Sequence, residues 1–195
     1  MPKLTLDITG FYYALTVEGG DAANLLGDTV KALTSFAVGK NGVNGGVLTR
    51  ADFDAKGFLS CATVDFTGEG ARPASRQQRP DGKPPLPNPP RGIYSYDDTI
   101  SNVVAPGCGG TISFSLVWQY YIFGKNNVLK TGNAGTTVRT IFSAGNSNKE
   151  APLEDGDRVV WRLVAIGGLK ERVDRMNEAN LFPYNKTQTI RSFLG

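Results

Sequence analysis

Glu150, Glu154, Asp155 and Asp157 place four carboxylates within eight residues. Acids at this density can hold calcium or share work as general acid and base. Their spacing is not that of an EF-hand loop, and Asp155-Gly156-Asp157 reads equally well as a solvated turn that launches a strand. Cys108, in Pro106-Gly107-Cys108-Gly109-Gly110, is the other candidate for chemistry. A reactive thiolate needs nearby positive charge or a helix start, and its sequence neighbours supply neither, so an ordinary turn cysteine is the competing reading. Gly107 to Gly110 is not a phosphate loop, because no Gly-Lys-Ser/Thr follows. Pairing of Cys61 with Cys108 is a matter of geometry that spacing leaves open.

Histidine is absent. That removes the commonest general base and transition-metal ligand, and with them serine–histidine and cysteine–histidine catalysis. With only 2 cysteines, a structural zinc site from the usual ligands is excluded in one chain. The expectation is a non-enzymatic protein without cofactor or metal. An enzyme built on carboxylates, tyrosine and lysine is the remaining catalytic alternative.

These groups must be positioned by strands. In Thr111–Phe123, Ile112, Phe114, Leu116, Trp118, Tyr120 and Ile122 alternate with the other residues and are apolar throughout. This predicts the central strand of the main sheet. Gly124-Lys125-Asn126-Asn127 follows as a hairpin turn, with Val128–Thr131 as a return strand. Strands are also predicted at residues 3–9, 11–17, 58–66, 136–142 and 158–166, with a strand or loop at 47–54. Gly10 is a bulge in one long strand or a turn between two. Asp28–Gly39 predicts a short helix capped by Asp28, with Val30, Leu33 and Ala37 on its buried face and Gly39 past its end. Leu169, Val173, Met176 and Asn180 have helical spacing that Pro183 would end.

Residues 72–91 differ from the rest. Seven of the 11 prolines lie here, and five basic residues against Asp81 give +4 where the whole chain carries +3. The basicity of the protein is therefore this loop. Pro84, Pro87 and Pro90 mark a segment that prefers polyproline II, and Arg79, Lys83 and Arg91 are its charged contacts. It reads as a solvated loop, an arm that packs on another subunit, or a ligand for a foreign aromatic groove. Tyr12 and Tyr121 are the aromatic candidates, each adjacent to a second tyrosine so that one ring of the pair faces core and one an interface or a stacked sugar. Basic residues are not interleaved with the aromatics, so no nucleic acid is expected.

With 195 residues, 40% hydrophobic and 20% charged, the chain is long enough for a sizeable core and ordinary in composition. The fold class expected is mostly β (α+β), antiparallel sheets with one short helix docked, β-grasp-like, with a two-sheet β-sandwich as alternative. The organisation expected is N-terminal strands plus helix at 1–71, the proline-rich loop at 72–92 and a β-rich half at 93–195, in one compact domain. No apolar run reaches the ~18–20 residues of a membrane span. Residues 1–10 read as a strand and not as a secretory leader, so a cytoplasmic place is the default, with non-classical export or surface assembly as alternatives.

Three stretches carry a resemblance: Gly27-Asp28-Thr29-Val30-Lys31-Ala32-Leu33, Trp118 to Lys125, and Leu153 to Trp161. In this order they resemble the small β-grasp domains of transcobalamin-type carriers and bacterial surface proteins. The resemblance implies a sheet wrapped on one helix and a small-molecule or glycan-binding module without catalysis. No residue of a cobalamin site carries over. The residues themselves suggest a self-assembling structural protein, a homo-oligomer acting through protein–protein contacts; the β-grasp ligand-binding module is the alternative.

Overall fold

The computed structural model describes residues 1–55, 57–73, 88, 90–97, 103–105, 112–128, 130 and 152–166, with the backbone alone for 96, 97, 103–105, 112–117, 119 and 163–166. The protein is mostly β, with two sheets and two short helices among the described residues. The strands expected at 136–142 and 128–131, the helical pattern after Leu169, Cys108 and Glu150 lie outside them or largely so.

Strands β1 (Lys3–Ile8) and β2 (Tyr13–Glu18) form an antiparallel hairpin. Gly10 lies in a single 3-10 turn, Thr9–Phe11, so the turn reading holds and the bulge reading does not. After a short helix, α1 (Gly20–Asn24), comes α2 (Val30–Ala37). Thr29, not Asp28, caps α2: its Oγ1 accepts from the Ala32 amide at 3.2 Å. One residue decides the difference, because a cap oxygen sits two or three residues before the amide it receives, and here the Ala32 amide meets Thr29. Val30, Leu33 and Ala37 are buried as their spacing requires, and Gly39 follows at φ +81°.

Strands β3 (Val47–Phe53), β4 (Leu59–Asp65) and β5 (Ile93–Asp97) make a three-stranded antiparallel sheet with β4 in the middle. Gly46, just before β3, allows the Phe66 ring to lie against the backbone where a Cβ would clash. Strands β6 (Val103–Ala105), β7 (Ile112–Phe123) and β8 (Arg158–Ile166) complete the first sheet in the order β2-β1-β8-β7-β6. Among the described strands, only β1 and β8 run parallel. Among the described strands the central one is thus β8, and β7, paired on both sides, lies beside it. The reason is visible in β8: Val159 and Trp161 are buried on one face and Val160 on the other, as a strand paired on both edges permits.

One core joins both sheets. Leu4, Leu6, Ile8, Trp118, Tyr120, Ile122, Val159 and Trp161 of the first sheet meet Leu48, Ala62, Val64 and Phe66 of the second, with Val30, Leu33 and Ala37 of α2. Trp161 is the meeting point. Its ring packs 5.1 Å from Tyr120 and 6.1 Å from Phe53, and its Nε1–H donates to Thr34 Oγ1 at 2.9 Å. Thr34 Oγ1 in turn donates to the Val30 carbonyl at 2.7 Å. Indole and hydroxyl are both buried, and each satisfies the other.

Tyr13, fully enclosed in this core, donates through its hydroxyl to the Lys40 carbonyl at 3.3 Å. Burial pushes its hydroxyl well above the usual phenol range. A folded pKa above the unfolded value, about 10, leaves stability intact below pH 10 and removes it as pH rises further. Urea unfolding at pH 8 and pH 11 should therefore show a lower midpoint at pH 11, and Tyr13→Phe should shrink that drop. An unchanged drop in the variant would show that Tyr13 does not carry it.

Candidate functional site

The acidic turn is a clamp. Gly156 takes φ +85°, which glycine tolerates without strain, and the turn this creates faces back on itself. Asp157 is 2% exposed, and its Oδ2 accepts from the Glu154 amide and from Lys130 Nζ, each at 2.8 Å. Lys130 Nζ also donates to Glu154 Oε2 at 2.9 Å. Burial works to lower the Lys130 pKa, but its hydrogen bonds to Asp157 and Glu154 outweigh it and hold the ammonium above the ordinary lysine range. Asp155 accepts from Lys125 Nζ at 2.7 Å and from the Lys3 amide at 2.9 Å. The Lys125 hydrogen bond, first, and the Lys3 amide hold the Asp155 carboxyl below the usual range.

The clamp therefore ties the start of β1, the turn after β7 and the start of β8. Its acids face lysines, which is the environment of a structural ion-pair cluster. No group of three acidic, histidine or cysteine side chains that could hold a metal occurs among the described residues. Sequence spacing brought the acids together but not the lysines, which lie about 25–30 positions earlier. The Gly124–Asn127 turn is the signal that could have found them, because it folds Lys130 back beside Ile122, whose carbonyl accepts the Lys130 amide at 2.8 Å.

No family model, curated protein or solved structure matches this chain. The site must be argued from its own geometry.

Tyr12 is 2% exposed at φ +55°, so it offers no surface to a partner. Its neighbour Tyr13 is buried too, and the one-in, one-out reading of this pair fails because Tyr12 lies in the hairpin turn and not in a strand. Tyr121 is half-buried on the outer face of β7; burial raises its pKa and the Arg162 charge partly offsets this. On that face the β7–β8 register sets Arg158 opposite Phe123 and Arg162 opposite Gln119. The Arg158 guanidinium lies 4.7 Å from the Phe123 ring centre and donates to Asn127 Oδ1 at 2.8 Å. Basic and aromatic residues do interleave here, across strands, which no single-strand pattern reveals. Val160, opposite Tyr121 on one side and Asp7 on the other, is buried, as is Asp7, so the face is not an open stacking platform. Cys61 is a buried free thiol, out of reach of solution partners.

Arg79, Lys83, Pro84 and Pro87 lie outside the described residues. The two ends of their loop are placed. Arg91 Nε donates to the Ala71 carbonyl at 3.2 Å, the Phe66 amide donates to the Gly92 carbonyl at 2.8 Å, and Tyr94 hydroxyl donates to the carbonyl of exposed Pro90. The loop thus leaves and returns at one point, beside β5. Among the described residues β3 and β5 are the outer strands of the second sheet, and they differ there. The β3 edge carries two register shifts and an Arg50–Asp52 ion pair. The β5 edge runs in unbroken register from Ile93 to Asp97, with Ile93 63% exposed.

No described helix is long and apolar enough to cross a membrane.

Proposed function

We propose that this chain is a non-enzymatic assembly protein that acts through contacts with further copies of itself. The contrast between the edges of the second sheet carries the reading. Bulges and charges are the devices by which proteins blunt an edge against pairing, and β3 has both. On β5 the strand is regular and apolar at Ile93, and the basic, proline-rich loop is rooted next to it. The engagement of Asp155, Asp157 and Glu154 by lysines supports a structural role for the acids. Light scattering on a size-exclusion column should give a native mass above 20.9 kDa that rises with concentration. A monomer at every concentration would overturn the proposal.

A second reading, a β-grasp module holding a small molecule or glycan, is favoured by one observation. The order hairpin, helix, then a late strand parallel to β1 and beside it is the arrangement that a sheet wrapped on one helix requires. It predicts a ligand that raises the melting temperature in a thermal-shift screen of glycans and small cofactors. A screen with no stabilising compound counts against it.

A further inference from the structure

We propose that Lys130 and Asp157 condense to an intramolecular amide, with Glu154 carrying the proton, so that the clamp becomes a covalent cross-link between the chain after β7 and the approach to β8. The cross-link is independent of the assembly reading. Both reacting residues are held by their backbones. The Lys130 amide donates to the Ile122 carbonyl at 2.8 Å, the Asp157 amide donates to the Glu154 carbonyl at 3.0 Å, and the Asp157 carbonyl accepts from the Thr5 amide at 3.0 Å. Lys130 Nζ then lies 2.8 Å from Asp157 Oδ2, with the lysine side chain 19% exposed and the carboxylate 2%. An amine and a carboxyl fixed in contact react as if at concentrations of about 10⁵ M or more, and one event per molecule is enough. Enclosure also favours the product, because two charges taken from water give way to a neutral amide. Lys125 and Asp155 show that distance alone does not select the pair. They stand 2.7 Å apart, but their side chains are 66% and 43% exposed, so each stays a solvated ion.

The third group completes the set. Glu154 Oε2 lies 2.9 Å from Lys130 Nζ, and the Glu154 amide lies 2.8 Å from Asp157 Oδ2. The ion pair is the reactant state. An ammonium proton passes to the Asp157 carboxylate along their hydrogen bond, giving amine and acid. The nitrogen attacks Asp157 Cγ, and the Glu154 amide holds the negative charge that builds on the carboxyl. The Glu154 carboxylate takes the proton that the nitrogen sheds and gives it to the departing hydroxyl. A C–N bond forms, a C–O bond breaks, one water leaves and Glu154 ends as it began, with no change of oxidation state. The product closes the chain between positions 130 and 157, which restricts the unfolded ensemble as a disulfide would.

The test is the intact mass of the full chain, measured under denaturing conditions after the folded protein has been kept at neutral pH. The parent should be lighter than its sequence by one water. Its tryptic digest should contain a branched peptide joining the segment around Lys130 to the segment around Asp157, with no cleavage after Lys130. Lys130→Arg keeps the charge but presents a guanidinium that stays protonated, and it should keep its full mass. Glu154→Gln keeps both reacting groups and removes the proton carrier, so it should lose water more slowly by roughly a hundredfold or more. A parent of full mass would overturn the cross-link. So would a loss of water that persists in Lys130→Arg, since that water would come from elsewhere, such as ring closure at Asp155-Gly156. Condensation of Glu154→Gln at the parent rate would overturn the role given to Glu154. The mass of the parent itself decides the proposal, so a variant that fails to fold cannot rescue it.

Discussion

Replacing Trp161 by alanine should destabilise the protein by about 4 kcal/mol, one of the two largest losses expected from a single side chain here. The indole is wholly enclosed, so its removal exposes a cavity to three structural elements at once. It packs on Tyr120 of the neighbouring strand, on Phe53 of the second sheet and on Thr34 of α2. Against a typical total of about 5–15 kcal/mol, that loss takes a domain of this size close to its limit. Two milder variants separate shape from hydrogen bonding. Thr34→Val keeps the volume but leaves the indole N–H without its acceptor, which costs about 1–3 kcal/mol. Trp161→Phe retains an aromatic ring and no longer needs that acceptor, so adding Thr34→Val to it should cost less than adding Thr34→Val to the parent. Urea unfolding followed by far-ultraviolet circular dichroism measures each of these proteins. A Trp161→Ala stability within about 1 kcal/mol of the parent, far short of a large-to-small core loss, would mean that the two sheets do not share this side chain.

Much of this arrangement is legible in the sequence where burial on one face imposes a period. Leu4, Leu6 and Ile8, then Trp118, Tyr120 and Ile122, are apolar at every second residue because they face one core. Val30, Leu33 and Ala37 follow the helical period for the same reason. What the period does not encode is which strand neighbours which. The central place of β8 and its parallel pairing with β1 depend on residues more than 150 positions apart. The same holds for the site. Asp155 and Asp157 are near neighbours in sequence, yet their character is set by Lys125 and Lys130, which only the turn after β7 brings near. Tyr12 reads as a surface candidate only when strand alternation is extended one residue too far; a left-handed residue in a turn obeys no such alternation. β5 carries no strand prediction of its own, and its place at the end of the described strands of the second sheet emerges only from its pairing with β4.

Lys130→Met should cost about 3–5 kcal/mol, because it leaves the Asp157 carboxylate enclosed without its countercharge. The pair itself need not be strongly stabilising, since taking two charges from water offsets most of their attraction. Its loss is severe because one partner stays behind. Asp157 is 2% exposed and the Lys130 side chain 19%, so neither can turn to solvent without opening the turn. That turn holds the start of β8 against β1, through the Thr5 amide on the Asp157 carbonyl at 3.0 Å and the Gly156 amide on the Lys3 carbonyl at 2.8 Å. Asp157→Asn should be milder, about 1–2 kcal/mol, since an amide oxygen can still accept from Glu154 N and Lys130 keeps Glu154. Lys125→Ala provides the contrast. Its ion pair with Asp155 is exposed and screened, and its removal should leave the unfolding midpoint near that of the parent. Raising salt should also separate the two lysines. The Lys130→Met loss persists in about 1 M sodium chloride, where the Debye length is about 3 Å, because the enclosed pair is little screened. If Lys130→Met and Lys125→Ala proved equally harmless, the acidic turn would be a solvated loop and its carboxylates would again be open to a ligand or a metal.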